Sequence, residues 1–167
     1  IRSVEETPDG IGIIRDFVEG RTLREVIDDR GPLSDGKART TLIEIARGVQ
    51  ALHACTPSII HRDLNPNNIV MGKQGVRIID FGIARRYREG AAADTVRFGT
   101  RSYAPPEQYG FGQTSVRSDI YALGMIALFC ITGEEAHGQP SAESLAHAGV
   151  TGPYADAILQ ATSFDPE

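Results

Sequence analysis

Cysteine is scarce in this sequence, and its two copies lie far apart. Cys55 and Cys130 are the only cysteines among 167 residues, and neither belongs to a C-x-x-C pair or to a metal-ligand pattern with histidine. This usage gives no indication of a disulfide framework or of a structural zinc site. It fits a reducing, cytoplasmic compartment, which leaves room for a membrane anchor elsewhere in a longer parent protein.

Long apolar runs and basic charge are also lacking. The most apolar stretch, residues 120–132, is shorter than the roughly 20 residues of a transmembrane helix, and no charged-then-apolar leader opens the chain. A net charge of -5 argues against a dedicated nucleic-acid or anionic-membrane surface. The remaining composition, 41% hydrophobic and 23% charged, predicts one packed globular domain.

One polar loop is the most informative stretch that is present. It reads His61-Arg62-Asp63-Leu64-Asn65-Pro66-Asn67-Asn68, and the motif Asp80-Phe81-Gly82 follows shortly after it. Pro66 is expected to prevent a helix, so that a loop turns Asp63 and Asn68 toward the same spot. An Asp that accepts a hydroxyl proton, with a second Asp that binds Mg²⁺, is the arrangement that phosphoryl transfer from a nucleotide requires. The sequence therefore predicts a phosphotransferase site.

Short apolar runs predict strands on both sides of this loop. Residues 59–60, 69–71 and 76–79 are such runs, and a polar turn at residues 72–75 separates the last two into a strand pair. Nearer the start of the chain, residues 1–6 and 11–18 predict two strands that a tight turn connects.

Helix signals occupy most of the remaining chain. Thr22 and Glu25 form a predicted capping box for a short helix, and Ser34 precedes a long helix that ends near His53. His53 is interpreted as an ordinary helix-terminal histidine without a function. Three further elements are predicted: an apolar helix that opens at Ser118-Asp119 and ends at Ile131, a short helix within residues 134–152, where His137 and His147 face solvent, and a last helix over residues 154–162.

The loop and the Asp-Phe-Gly motif resemble the catalytic and magnesium loops of the eukaryotic-type (Hanks-type) protein kinases, most closely their bacterial serine/threonine branch. Residues 100–107, which end in Pro-Pro-Glu, resemble the segment where these kinases dock a peptide. The resemblance implies an α+β, protein-kinase-like fold with a mainly helical C-terminal lobe and a few short strands. No glycine-rich phosphate loop or V-A-I-K lysine occurs, so the N-terminal lobe is expected to be largely absent. Residues 1–20 would be the end of that lobe and the hinge, and residues 21–167 a C-terminal lobe truncated at its C-terminal end.

The same resemblance assigns the nucleotide site. It implies ATP and a protein substrate as partners, with Mg²⁺, or Mn²⁺ in its place, as the metal. Asp63 would be the catalytic base, and Asn68 and Asp80 would hold the metal. The backbone of Asp16, Phe17 and Val18 would contact the adenine, and Val70 and Ile79 would form its floor.

Regulatory and structural roles are also implied. Arg62 would receive a phosphorylated activation loop, residues 83–98, in which Thr95 is either the phosphosite or an ordinary loop threonine. Thr100 would bond near Asp63 and mark serine/threonine preference. The structural residues would be His61, which packs beneath Phe81, Glu107, a buried carboxylate whose usual arginine partner is not in the chain, and Asp119, which accepts hydrogen bonds from the catalytic-loop backbone.

Two residues depart from the kinase pattern. Asn65 stands where serine/threonine kinases carry a catalytic lysine, so it can donate a hydrogen bond but brings no charge. Arg15 stands at the gatekeeper position, where it would either reshape the back pocket or extend to an acidic partner.

Three functions stay open: a fragment of an active protein kinase that is inactive alone, a pseudokinase or docking module, and a small-molecule phosphotransferase of the aminoglycoside or choline type. The oligomeric state is not indicated.

Overall fold

The computed structural model describes residues 2–8, 10–87, 102–105, 108, 114–135 and 138–163. The strands are β1 (Ser3–Thr7), β2 (Gly10–Ile14), β3 (Arg21–Thr22), β4 (Ile59–Ile60), β5 (Ile69–Gly72), β6 (Gly75–Ile78) and β7 (Arg85–Arg86). The helices are α1 (Leu23–Arg30), α2 (Asp35–His53), α3 (Val116–Thr132), α4 (Ala142–His147) and α5 (Pro153–Ala161), and a 3₁₀ turn spans Pro66–Asn68. The predicted α+β class with few, short strands is confirmed. Thr95, Thr100, Glu107 and His137 lie outside the described residues.

The strands form three small antiparallel sheets, β1-β2, β3-β5-β6 and β4-β7. The predicted pair at residues 69–71 and 76–79 is confirmed as β5 and β6, which a two-residue turn joins because Gly72 pairs with Gly75. The predicted loop character of the activation segment is wrong at Arg85 and Arg86. These two residues pair with β4 as strand β7, a long-range contact that local sequence does not signal.

The second predicted strand is shorter than expected. Apolar character predicts a strand over residues 11–18, but β2 ends at Ile14. The β1-β2 ladder ends at the pair of Ile14 with Ser3, and the Ile14 carbonyl accepts one more hydrogen bond from the Arg2 N–H at 2.7 Å. Residues 15–19 are irregular, Arg15 is exposed, and Asp16 forms an ion pair with Arg2.

Helix α3 is the centre of the core, with α2 and α5 packed against it. Its Met125, Ile126 and Phe129 are buried together with Ile45 and Val49 of α2. The prediction that α3 opens at Ser118-Asp119 is wrong by three residues. Ser115 is the N-cap, and the hydroxyl oxygen of Ser118 accepts a hydrogen bond from the Ser115 N–H at 3.0 Å, which completes a capping box. Asp119 thus lies inside the first turn, where its carboxylate is available to the rest of the fold.

Local signals at the other helices agree with the structure. The capping box of Thr22 and Glu25 on α1 is confirmed, and the long helix α2 begins after Ser34 and ends at His53, as predicted. His147 is exposed, also as predicted.

Both cysteines are free thiols, and burial raises the pKa of the Cys130 thiol to about 12. Within the described residues, no helix combines the length and apolarity needed to cross a bilayer.

Gly124 sets how closely α5 approaches α3. A Cβ at this position would lie 2.7 Å from Thr162 Cγ2 and 3.0 Å from Ala161 Cβ. Gly124→Ala should therefore lower the free energy of unfolding by about 1 to 3 kcal/mol, although alanine favours a helix. Urea denaturation measures the change.

Gly36, in the first turn of α2, is the matched control because a Cβ added there would have no atom within 4 Å. Gly36→Ala should leave stability unchanged or raise it by up to about 1 kcal/mol. Equal effects of the two substitutions would contradict the close α3–α5 contact.

Candidate active site

The predicted catalytic loop joins β4 to β5 and passes through one 3₁₀ turn. The expectation that Pro66 prevents any helix is wrong, because Pro66 is the first residue of that turn, where a missing N–H costs nothing. Asn65 caps the turn, and its side-chain oxygen accepts a hydrogen bond from the Asn67 N–H at 2.9 Å. The turn places Asn65 and Asn68 on either side of Asp63.

The Asp63 carboxylate is held by two neutral amides. Its Oδ1 accepts from Asn65 Nδ2 at 3.1 Å, and its Oδ2 accepts from Asn68 Nδ2 at 3.0 Å. Both amides also donate to the Asp63 backbone carbonyl, at 3.1 and 2.8 Å. These four hydrogen bonds fix the orientation of the carboxylate, and neither amide brings a positive charge to it.

Asp80 lies beside this pair. Ile79 donates its N–H to the Asn68 carbonyl at 2.9 Å, so the residue that follows Ile79 emerges at the same end of the β5-β6 hairpin as Asn68. Asp80 has a φ of 61°, and its Oδ1 accepts from the Gly82 N–H at 3.1 Å. The structure thus brings the backbone of Asp80 next to that of Asn68, whose side chain holds Asp63.

The donor set fits a hard divalent cation. Because the Asn68 side chain commits its nitrogen to Asp63, its oxygen is the atom that it can offer to a metal. Asp80 is exposed and has a second carboxylate oxygen besides the one bound to Gly82. One carboxylate and one amide oxygen, completed by water and nucleotide phosphates, are what Mg²⁺ prefers in nucleotide sites.

His61 packs against the site from the protein interior. It is fully buried, and its ring meets the Phe81 ring edge-on at 4.9 Å between centroids. Its Nε2 lies 3.1 Å from the Ile79 carbonyl, while its Nδ1 accepts from the Asp63 N–H at 3.4 Å. This arrangement selects the neutral tautomer protonated at Nε2. The imidazole therefore bridges the Ile79 carbonyl, just before Asp80, and the backbone N–H of Asp63.

Asp119 anchors the loop to α3. Its carboxylate, 1% exposed, accepts from the His61 N–H at 2.9 Å and from the Arg62 N–H at 3.0 Å. Sequence reasoning missed a third partner, His53, whose Nε2 lies 2.8 Å from Asp119 Oδ2. The only sequence signal was the position of His53 just upstream of the loop, because its partner is 66 residues away.

The predicted adenine contacts divide into two groups. Asp16 is exposed and Val18 is half-buried in the irregular segment after β2. Val70 and Ile79 belong to the β5-β6 region, where Ile69 and Ile78 pair and face the core. Side chains alternate along strands, so Val70 and Ile79 share the opposite face. That shared face is the arrangement a flat base would require.

The described part of the predicted peptide-docking segment is anchored through Tyr103. This residue is 2% exposed, and its hydroxyl accepts from Arg24 at 3.2 Å. Burial raises the pKa of the Tyr103 phenol well above its usual range, so the hydroxyl stays protonated. Arg24 also pairs with Glu135 and stacks 4.2 Å from the Phe129 ring centroid. The segment is thus tied to α1 and to the end of α3.

Comparison with known proteins identifies the family. The family profile of the protein kinase domain matches residues 1–162. The chain belongs to the protein kinase family. The resemblance to bacterial serine/threonine kinases is confirmed by its relatives. The chain is 36% identical to the probable serine/threonine-protein kinase PkwA from Thermomonospora curvata over 118 residues. The matched region covers 70% of this chain and 16% of that protein.

Two other relatives belong to the same branch. The probable serine/threonine-protein kinase PknB of Lactococcus lactis is 36% identical over 136 residues, 80% of this chain and 21% of that protein. The serine/threonine-protein kinase PknL of Mycobacterium tuberculosis is 33% identical over 137 residues, 81% of this chain. The chain spans 16% to 34% of the length of these three curated relatives.

Asp119→Asn should destabilise the kinase fold. An asparagine would present an amide nitrogen to at least one of the three donors that now face the carboxylate, which leaves buried donors unsatisfied. We expect the free energy of unfolding to fall by about 3 kcal/mol, measured by urea denaturation. Asp156→Asn, at an exposed position in the first turn of α5, should cost less than about 1 kcal/mol. A loss for Asp119→Asn as small as that control would contradict the anchoring role.

Proposed function

We propose that this chain is the C-terminal lobe of a serine/threonine protein kinase, which within its whole protein transfers the γ-phosphoryl group of ATP to a protein hydroxyl. The observation that carries the proposal is the grip of Asn65 and Asn68 on the Asp63 carboxylate, beside Asp80. The printed names of the bacterial relatives support a protein hydroxyl as acceptor.

Asp63 is the base in this proposal. With both oxygens held by amides, its carboxylate presents a fixed direction to an incoming serine or threonine hydroxyl. The hydroxyl proton moves to Asp63 as the oxygen bonds to phosphorus and the bond to the β-phosphate oxygen breaks. Positioning is the larger part of such catalysis, because the transition state of phosphoryl transfer needs little covalent help from the protein.

Asn68 and Asp80 hold the metal in this proposal, through the amide oxygen of one and the carboxylate of the other. When bound, Mg²⁺ neutralises charge on the phosphates. Val70 and Ile79 offer the face on which the adenine rests, and the backbone at Asp16 and Val18 contacts its edge. These assignments are supported by the common face of the two strands and by the position of Asp80 next to Asn68.

Asn65 helps to orient the base in this proposal and does not neutralise the phosphoryl group. It is 2% exposed, its amide nitrogen donates to Asp63, and its amide oxygen accepts from the Asn67 N–H. A lysine at this position would bring a positive charge to the transferred group. The asparagine keeps the contact with Asp63 and omits the charge, so we expect slow transfer.

Residues 1–20 are proposed as the end of the N-terminal lobe with the hinge, and residues 21–167 as the C-terminal lobe. The sequence has no glycine-rich phosphate loop or V-A-I-K lysine, so the chain by itself is expected to have little activity. A cytoplasmic location is supported by the two free thiols. The proposal is best tested on the whole protein.

Asp63→Asn should remove the base while keeping the shape of the side chain. In the full-length protein, we expect kcat for transfer of labelled phosphate to a protein substrate to fall by about 10²- to 10⁴-fold. Asp35→Asn, at an exposed position in the first turn of α2, is the matched control and should keep its activity.

The same assay separates the rival functions. Transfer that survives Asp63→Asn would contradict the proposed base. Magnesium-dependent nucleotide binding without any transfer would favour a pseudokinase or docking module. Phosphorylation of aminoglycosides or choline, but not of proteins, would favour a small-molecule phosphotransferase.

Asn65→Ala should lower kcat by about 10- to 100-fold, because one oxygen of Asp63 loses its donor and the 3₁₀ turn loses its cap. Asn67→Ala is the control, since the Asn67 side chain is exposed in the same turn. Steady-state kinetics with a fixed protein substrate measures both variants. Similar kcat values for the two variants would show that Asn65 does not orient the base.

A further inference from the structure

The backbone of Arg62 adopts a conformation that arginine disfavours. Its φ is 71°, in the left-handed region, where the Cβ of an L-residue crowds the backbone. Among the described non-glycine residues, only Asp80 shares this feature, and aspartate tolerates it better than arginine does. Such a conformation persists only where the surrounding structure imposes it. The residue immediately before Asp63 is therefore held by its surroundings.

Two buried side chains hold the two polar groups of the Arg62 backbone. The N–H donates to Asp119 Oδ1 at 3.0 Å, and the carbonyl accepts from Gln108 Nε2 at 2.6 Å. Asp119 belongs to α3, whereas Gln108 follows the peptide-docking segment in sequence and is only 6% exposed. Each side chain constrains one end of the same strained residue.

The Gln108 contact acts directly on the peptide plane that leads into Asp63. The Arg62 carbonyl and the Asp63 N–H belong to one rigid peptide group. Gln108 donates to the carbonyl of this group, and the His61 imidazole accepts from its N–H at 3.4 Å. A rotation of this plane would change the direction of the Asp63 side chain, and Gln108 is placed to prevent it.

Gln108 is in turn fixed by the segment before it. Its own N–H donates to the Pro105 carbonyl at 3.0 Å, and Tyr103 anchors the same segment through Arg24. A displacement of residues 102–105 would therefore be transmitted to the Arg62 carbonyl. The hydrogen bond from Gln108 to the Arg62 carbonyl therefore links the predicted peptide-docking segment to Asp63, the proposed base.

We propose that Gln108 is a positioning residue for Asp63, and that it couples the peptide-docking segment to the orientation of the base by holding the Arg62 carbonyl. This inference rests on the proposed function, in which Asp63 accepts the hydroxyl proton. Gln108 acts through the backbone and touches neither the nucleotide nor the acceptor.

Gln108→Met removes the donor at nearly constant side-chain volume. In the full-length protein, we expect kcat for protein phosphorylation to fall by about 10- to 100-fold, while KM for ATP changes by less than about twofold. Gln139→Met is the matched control, because Gln139 Nε2 also donates to a backbone carbonyl, that of Thr162, at 2.7 Å and remote from the site. Equal kcat values for the two variants would overturn the proposal.

A second background tests whether the strain at Arg62 matters. Glycine adopts a φ of 71° without steric cost, so Arg62→Gly should make the loop less dependent on Gln108. The fold-loss in kcat caused by Gln108→Met should therefore be smaller in the Arg62→Gly background than in the wild type. A merely structural role for Gln108 predicts equal fold-losses in both backgrounds, and that result would overturn the inference.

Amide hydrogen exchange does not require catalysis, so it tests the Gln108 contact independently of the proposed role of Asp63 as the base. Hydrogen exchange of the Asp63 amide, which shares a peptide group with the Arg62 carbonyl, should become about tenfold faster in Gln108→Met, the factor that one lost hydrogen bond gives, and should not change in Gln139→Met. Should Gln108→Met fail to fold, Gln108→Asn retracts the amide by one methylene and should give the same exchange result. Unchanged exchange would overturn the Gln108 contact, whereas changed exchange with transfer that survives Asp63→Asn would refute the role of the base.

Discussion

The carboxylate of Asp119 is the constraint on which the site depends. It lies inside the core helix α3 and collects hydrogen bonds from His53, His61 and Arg62, three residues of two other segments. A buried charge is tolerated only when donors surround it, so the fold cannot place α3 without also placing the start of the catalytic loop. The packing of the lobe and the geometry of the site therefore depend on the same three hydrogen bonds.

The described hydrogen bonds of Asp63 within the catalytic loop are made with uncharged side chains. Two asparagine amides hold Asp63, and a neutral histidine receives its N–H. Amides orient a carboxylate as well as a lysine does, but they leave the developing charge on a phosphoryl group to other partners. Under the proposed function, this arrangement would separate two tasks that one ammonium group could perform together, orientation of the base and neutralisation of the phosphoryl group.

Local chemistry made much of this structure predictable. The capping box at Thr22, the β5-β6 pair and the long helix α2 follow from residues only a few positions apart. The contacts that were missed or misjudged join distant parts of the chain: His53 with Asp119, β4 with β7, and Gln108 with Arg62. Periodicity and capping rules report on neighbours along the chain, whereas these pairs exist only once helices and sheets have packed. The motif placed Asp63, Asn68 and Asp80 near one another, but not the amide grip on Asp63.

The β5-β6 hairpin can accept inserted residues at its tip but not within its strands. Asn68 and Asp80 flank its open end, and the tip consists of only Lys73 and Gln74, both exposed. Residues added at the tip would extend away from the open end and leave the separation of the two metal-binding candidates intact. A single residue inserted within either strand would instead reverse the facing of every side chain beyond it and carry Val70 or Ile79 into the core. The tip is therefore a tolerant position for a tag or a reporter, and the strands beside it are not.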